Sequence, residues 1–206
     1  MAKTTGTVTG IVSNLVTVLA NGPVAENELC YITTEGVRLM AEVIKVNGKA
    51  AQVQVFESTR GLKNGDSVEF EGKMLEITLG PGLLRGVYDG LQNDLTTMEG
   101  VFLKRGEYTD PLNRETLWDF VPIAKPGDKV IAADWLGEVK EGWLPHKIMV
   151  PFSFKGEYTV KSVAPAGSYT VDREIAVLTN EDGEDVPVTM TQKWPVKVAV
   201  KAYKEK

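Results

Sequence analysis

The sequence predicts a mainly β protein: a small β-barrel at the N-terminus, then a second β-rich domain, with one short helix between them. Three observations carry this. Residues 1–78 hold about six short alternating apolar and polar segments separated by turn residues at regular spacing, the pattern of a small closed barrel. A second series of strand-like segments occupies residues 111–190 and carries three of the four tryptophans, Trp118, Trp135 and Trp143, enough aromatic surface for a core of its own. Between them, Gly80-Pro81-Gly82 breaks the strand pattern, and Leu83, Leu84, Val87, Tyr88 and Leu91 then recur at helical spacing.

In chain order, residues 5–19 are rich in β-branched side chains, with Ser13-Asn14 as a bend or bulge. Asn21-Gly22-Pro23 is a turn, Leu29–Thr33 a strand, and Glu35-Gly36 closes it. Val37–Val46 follows, with Val37, Leu39, Ala41, Val43 and either Ile44 or Val46 on the buried side. Asn47-Gly48 signals a hairpin in which both positions tolerate φ > 0. The returning strand sets Ala51, Val53 and Val55 against Gln52 and Gln54. Val68–Phe70 and Met74–Leu79 read as two short strands around Glu71-Gly72. Asp89-Gly90 stops the helix, and residues 91–112 carry Met98–Leu103 and a turn at Arg105-Gly106. In the second domain the strands are Trp118–Pro122, the segment after Gly127-Asp128, Trp135–Val139, Lys147–Pro151, Gly156–Val163, Gly167–Val171, Ile175–Leu178 and Val186–Met190. Asn180–Asp185 is an acidic hairpin tip. Arg105–Thr109 and Lys155–Thr159 repeat Gly-Glu-Tyr-Thr by coincidence, since two copies do not make a repeat architecture.

Composition excludes several classes. With 206 residues, 43% hydrophobic and 25% charged, the chain has the make-up of a soluble globular protein. No apolar run approaches the roughly 20 residues that span a bilayer, and the first residues lack the apolar core of a secretory signal. Cys30 is the only cysteine; no intrachain disulfide can form, which fits a reducing cytoplasm. The net charge of −5 is uneven: residues 111–190 hold 8 basic and 13 acidic side chains, residues 191–206 hold 5 and 1. An acidic body argues against nucleic acid, which needs a clustered basic face. Barrel residues 1–78 also contribute only Tyr31, Phe56 and Phe70 for base stacking.

Leu79-Gly80-Pro81-Gly82-Leu83-Leu84, followed by Tyr88-Asp89-Gly90-Leu91-Gln92, resembles the catalytic A subunit of vacuolar- and archaeal-type rotary ATPases. Asn93-Asp94 departs from that family, which usually continues with Arg-Pro. Gly127–Val130, His146–Pro151 and Ala166–Tyr169 resemble the inserted bulge of that subunit, and Met190–Lys197 resembles its return to the nucleotide domain. The resemblance implies a division into a barrel over 1–78, a connection over 79–110, a bulge over 111–190 and a return segment over 191–206. It further implies contact of the barrel with neighbouring B subunits, contact of the bulge with the peripheral stalk, and a cytoplasmic place on the soluble head of a membrane-bound, ion-translocating complex, with no insertion into the membrane. ATP and Mg belong to the full-length subunit. The phosphate-binding loop Gly-x-x-x-x-Gly-Lys-[Ser/Thr], the Walker B acid and the catalytic glutamate have no counterpart in these residues, so the chain is expected to be a non-catalytic N-terminal piece, truncated before the P-loop, with no cofactor and no catalytic, cofactor-binding or metal residues.

Other chemistries fare poorly. One histidine, His146, and one cysteine cannot form a His/Cys zinc site. No Gly-x-Ser-x-Gly elbow accompanies His146, Glu181–Asp185 lacks calcium-loop spacing, and Asp128 and Asp134 suit turns. The alternative is a carrier domain: strands bracketed by Gly127-Asp-Lys-Val130 and Val163-Ala-Pro-Ala-Gly167 resemble the barrel-sandwich of biotinyl or lipoyl proteins. Those carriers modify a lysine at a hairpin tip in Met-Lys-Met or Asp-Lys-Ala, whereas Lys147 sits in His-Lys-Ile.

Overall fold

Six antiparallel strands close into a barrel: β1 (Thr5–Val12), β2 (Leu15–Ala20), β3 (Glu28–Thr34), β4 (Val37–Asn47), β5 (Ala50–Val55) and β6 (Ser67–Met74), in the order β1-β2-β5-β4-β3-β6. The computed structural model describes residues 3–96 and 105–202, in two compact units; Met98–Leu103, named above, lie outside the described residues. The barrel belongs to the first unit, joined there by residues 105–108 and 195–197. Its interior is aliphatic, filled by Val8, Val16, Val18, Ile32, Leu39, Val53 and one aromatic, Phe70, each no more than 1% exposed. Period-two alternation places these side chains inside, because successive residues of a strand point to opposite faces.

One detail of the barrel settles an alternative the sequence left open, and two differ from the sequence pattern. On β4 the register shifts between Val43 and Lys45, so the extra residue Ile44 turns outward and Val46 packs on the core. The β4–β5 loop is Gly48-Lys49, closed by the Asn47–Ala50 pair; only Gly48 has positive φ, at 61°. Glycine at the first loop position is the type II′ arrangement, not one with both Asn47 and Gly48 left-handed. Finally, Glu71-Gly72 does not interrupt β6. Gly72 takes φ 70° within the strand, and the buried Glu28 carboxylate accepts its N–H at 2.6 Å and that of Ala25 at 3.0 Å. One carboxylate thus satisfies two amides that the irregular pairing leaves without strand partners.

The second unit opens with β7 (Glu76–Leu79), which leaves the barrel pattern and pairs with β16 (Gln192–Pro195). Between them run β8 (Trp118–Pro122), β9 (Lys129–Val130), β10 (Trp135–Glu141), β11 (Leu144–Met149), β12 (Tyr158–Val163), β13 (Gly167–Tyr169), β14 (Ala176–Thr179) and β15 (Asp185–Val188). They form two four-stranded sheets, β11-β10-β8-β13 and β15-β14-β12-β9. The longer edge strands β11 and β15 carry Pro145 and Pro187, which deny a ladder donor to any further strand. Phe120, Leu136, Val139, Ile148, Val150, Val160, Ile175 and Leu178 share one core.

The tryptophans are not that core. Trp118 is partly buried at its margin, and Trp143, in the turn between β10 and β11, is 89% exposed. The helix expected over residues 83–91 is reduced to one 3₁₀ turn, Leu83–Arg85, and Gly86 is already extended. A longer helix would need a packing partner for its apolar face; Leu84 and Val87 instead stay about 60% exposed. In the Gly-Glu-Tyr-Thr pair, both glycines, Gly106 and Gly156, have positive φ, and the likeness ends there. The Tyr108 hydroxyl donates to Glu57 at 2.5 Å and accepts the Met40 N–H at 2.9 Å; burial and the Glu57 bond hold its pKa well above the usual tyrosine value. Tyr158 instead begins β12 and packs on Phe154, 4.9 Å between ring centres.

Candidate functional site

The Gly80–Gly86 turn is organised by a residue 59 positions beyond Gly82. Glu141 ends β10, where strand alternation points its side chain inward and leaves it only 3% exposed. Its Oε1 accepts the N–H of Gly82 at 2.8 Å and of Leu84 at 3.2 Å, and its Oε2 lies 2.7 Å from His146 Nδ1. A buried carboxylate is stable only when charge-assisted bonds replace its hydration, and three such bonds are present. Gly82 takes φ 111°, which only glycine adopts without strain, and so turns the amides toward Glu141. This arrangement bears on chemistry. Amides of a Gly-rich turn can cradle a phosphate, but here a resident carboxylate occupies them and its charge would repel one.

Downstream, side chains do the work of strands. Gln92 accepts the Thr78 N–H through Oε1 and donates to the Thr78 carbonyl through Nε2, both at 2.7 Å. Asp89 accepts the amides of Leu91 and Asn93 and the Asn93 Nδ2. Buried Asn93 accepts the Thr109 N–H at 2.9 Å, and the Asp94 N–H donates to Thr109 Oγ1 at 2.8 Å. Asn93-Asp94, the departure from the family pattern, is therefore what ties this loop to Thr109. Arg114 Nε donates to Asp110 at 2.8 Å and its Nη1 to Asp172 at 2.6 Å. Burial raises the Asp110 carboxyl, but the Arg114 bond, the Leu112 amide and the Arg114 charge together bring it below the usual carboxylate range.

The candidate residues singled out in the sequence fall apart from one another. His146 serves Glu141. Asp128 and Asp134 accept the amides of Lys125 and Ile131 in local turns. In the acidic tip, Asn180 and Glu184 close the turn on each other, while Asp185 pairs with Lys161 and accepts from Thr179. Cys30 is buried in the barrel, where desolvation and the Glu28 charge push its thiol up to about 12. Among the described residues, no group of three His, Cys, Asp or Glu side chains could hold a metal. Lys147 lies inside β11 and not at a hairpin tip; its amine pairs with Glu138 and sits 4.8 Å from the centre of the Trp135 ring. The tip of that hairpin is Gly142-Trp143, so the carrier reading is the less supported. Glu141 went unnoticed in the sequence because a lone glutamate ending a strand carries no local signal.

A closed six-stranded barrel followed by a two-sheet β unit is the architecture that two family models share with this chain. Residues 8–72 match the beta-barrel domain of the ATP synthase alpha/beta family, and residues 109–197 match the ATP synthase alpha/beta subunit barrel-sandwich domain. The chain belongs to the ATP synthase alpha/beta family. Among its relatives, the V-type ATP synthase alpha chain of Treponema denticola is 49% identical over 209 residues, covering 100% of this chain and 36% of the relative. The V-type ATP synthase alpha chain of Borrelia garinii subsp. bavariensis is 46% identical over 207 residues, covering 99% of this chain and 36% of the relative. That of Borreliella burgdorferi is 45% identical over 207 residues, with 99% and 36% covered. The chain thus spans about a third of the length of the curated relatives it matches. Among the described residues no helix is long and apolar enough to cross a membrane.

Proposed function

We propose that these residues form the non-catalytic N-terminal portion of the A subunit of a V/A-type ATP synthase or ATPase, serving assembly of the soluble head. The observation that carries this reading is the order of the two family domains, barrel then barrel-sandwich, on a chain alignable over its whole length with V-type alpha chains. Residues 1–78 act as the barrel, 79–110 as a connection, 111–190 as the bulge and 191–206 as the return toward a nucleotide-binding domain. The barrel contacts neighbouring B subunits, and its outward apolar side chains, Val12 at 75% exposure together with Leu19 and Ile44, suit such a contact. The bulge meets the peripheral stalk. Nucleotide chemistry lies outside these residues, and the occupied amides of the Gly82 turn support that division.

The test is co-expression of this chain with the B subunit of the same complex, alongside Val12→Asp. The reading expects co-purification that Val12→Asp abolishes, and no calorimetric binding of Mg-ATP in the low micromolar range. Tight Mg-ATP binding, or failure of the unaltered chain to capture B, would overturn it.

A further inference from the structure

In Asn-Gly and Asp-Gly the next backbone nitrogen can attack the side-chain carbonyl, because glycine has no Cβ to crowd the five-membered ring that forms. The chain holds five such pairs: Asn21-Gly22, Asn47-Gly48, Asn64-Gly65, Asp89-Gly90 and Asp182-Gly183. Sequence ranks the three asparagines alike. The fold does not, because the reaction needs two groups free at once, the side chain as electrophile and the glycine nitrogen as nucleophile, brought to near-attack distance.

Four of the five are held. Asn21 donates from Nδ2 to Thr5 Oγ1 at 3.3 Å and from its own N–H to the Thr5 carbonyl at 2.8 Å. The Gly65 N–H donates to the Val8 carbonyl at 2.8 Å, and the Gly183 N–H to the Asn180 carbonyl at 3.1 Å. The Asp89 carboxylate accepts the amides of Leu91 and Asn93. At Asn47-Gly48, by contrast, neither the Asn47 side chain nor the Gly48 N–H makes a hydrogen bond among the described residues. Both residues are exposed, and nothing lies within 4 Å of where a Gly48 Cβ would stand. The Asn47–Ala50 pair is the last of the β4–β5 ladder, so the turn can rotate with the loss of that pair alone.

We propose that Asn47 is the deamidation site of the barrel. The Gly48 nitrogen gives up its proton and bonds to Asn47 Cγ, the Cγ–Nδ2 bond breaks, and the side-chain nitrogen leaves with that proton as ammonia. Water then opens the cyclic imide. Its addition at Cγ gives aspartate; its addition at the main-chain carbonyl gives isoaspartate, in which the backbone runs through the side-chain carbon. Nothing is oxidised or reduced, and water is the only co-reactant. Either product adds a negative charge to the hairpin tip. Isoaspartate also lengthens the backbone beside Lys49, whose carbonyl accepts the Ala20 N–H at 2.8 Å, and so loosens the tie between this tip and β2. The inference rests on the hairpin alone and does not depend on the rotary-complex reading.

The experiment incubates the intact chain at mildly alkaline pH, native and in concentrated urea, and follows each asparagine by peptide mass mapping, since deamidation adds about 1 Da. Methyl labelling with an isoaspartyl methyltransferase identifies the isoaspartate. In the native chain Asn47 should convert first, about tenfold faster than Asn21 and Asn64, whose groups are released only by local opening. In urea the three rates should converge. Asn47→Gln should remove most of the native isoaspartate signal while melting as the unaltered chain does. Two outcomes overturn the proposal. One is Asn21 or Asn64 converting as fast as Asn47 in the native chain. The other is Asn47 converting about tenfold or more slowly in the native chain than in urea, which would show that the Asn47–Ala50 pair closes the turn to the reaction.

Discussion

The barrel and the two-sheet unit are both closed by hydrophobic cores, yet they reach them differently. In the barrel, long strands (β4 has 11 residues) each send several side chains inward, and the hairpins β1–β2, β3–β4 and β4–β5 join consecutive strands. In the second unit the strands run from 2 to 7 residues, and pairs such as β8–β13 and β12–β14 join non-consecutive segments. Short strands supply few ladder bonds, so polar side chains supply the rest: Glu141 on the Gly82 turn, Gln92 on Thr78, Asn93 on Thr109. Where alternation is long, burial specifies most of the structure and a polar side chain such as Glu28 covers the irregular amides; where it is short, satisfied backbone groups carry more of it.

The sharpest way to break this contrast is to empty one core and watch the other. Phe70→Ala should destabilise the barrel by about 3–5 kcal/mol, the usual cost of truncating a buried aromatic. All four tryptophans lie outside the barrel strands. Their fluorescence should therefore hold at temperatures where the far-UV signal of the barrel is lost. A single coincident transition in both signals would mean that the two cores unfold as one.

Next is alkaline pH. Cys30 in the barrel is held neutral with its pKa pushed up to about 12, while the unfolded thiol titrates near its ordinary value. Above about pH 9 the unfolded chain loses this proton first, so the stabilisation is complete below that pH and fades as pH rises toward 12. The loss is of order 4 kcal/mol by the upper end, at about 1.4 kcal/mol per unit. Urea melts at several alkaline pH values should show the decline in the unaltered chain and a shallower one in Cys30→Ala.

The polar scaffold of the second unit is tested by Glu141→Ala. Removing a carboxylate that bonds two backbone amides should cost about 1.5–3 kcal/mol, and hydrogen exchange should accelerate first at Gly82 and Leu84. Unchanged exchange there would show that the turn holds without its glutamate. The smallest effect is local to the barrel: Gly48→Ala should cost about 1–2 kcal/mol, because an L side chain is strained at φ 61°. The adjacent Asn47–Ala50 pair should show it as increased amide exchange.

What the sequence determined by itself was the class of structure and most of its strands. Alternation such as Ala51, Val53 and Val55 against Gln52 and Gln54 needs no distant partner to be read, because one buried face is written in period two. The family was likewise legible in continuous stretches such as Leu79–Leu84 and Met190–Lys197. Tertiary structure alone decided the rest. Helical spacing after Gly82 yielded only the turn Leu83–Arg85, since Leu84 and Val87 stay exposed among the described residues and Glu141 takes the Gly82 and Leu84 amides. Tryptophan content suggested a core, but Trp143 stands in solvent because a hairpin apex has no inner face. Glu141, Gln92 and Glu28 carry no local signature, because each holds a backbone group far along the chain: Gly82 lies 59 residues from Glu141, Thr78 14 from Gln92 and Gly72 44 from Glu28. Contacts of that separation exist only once the chain has closed, and so they are decided by the fold.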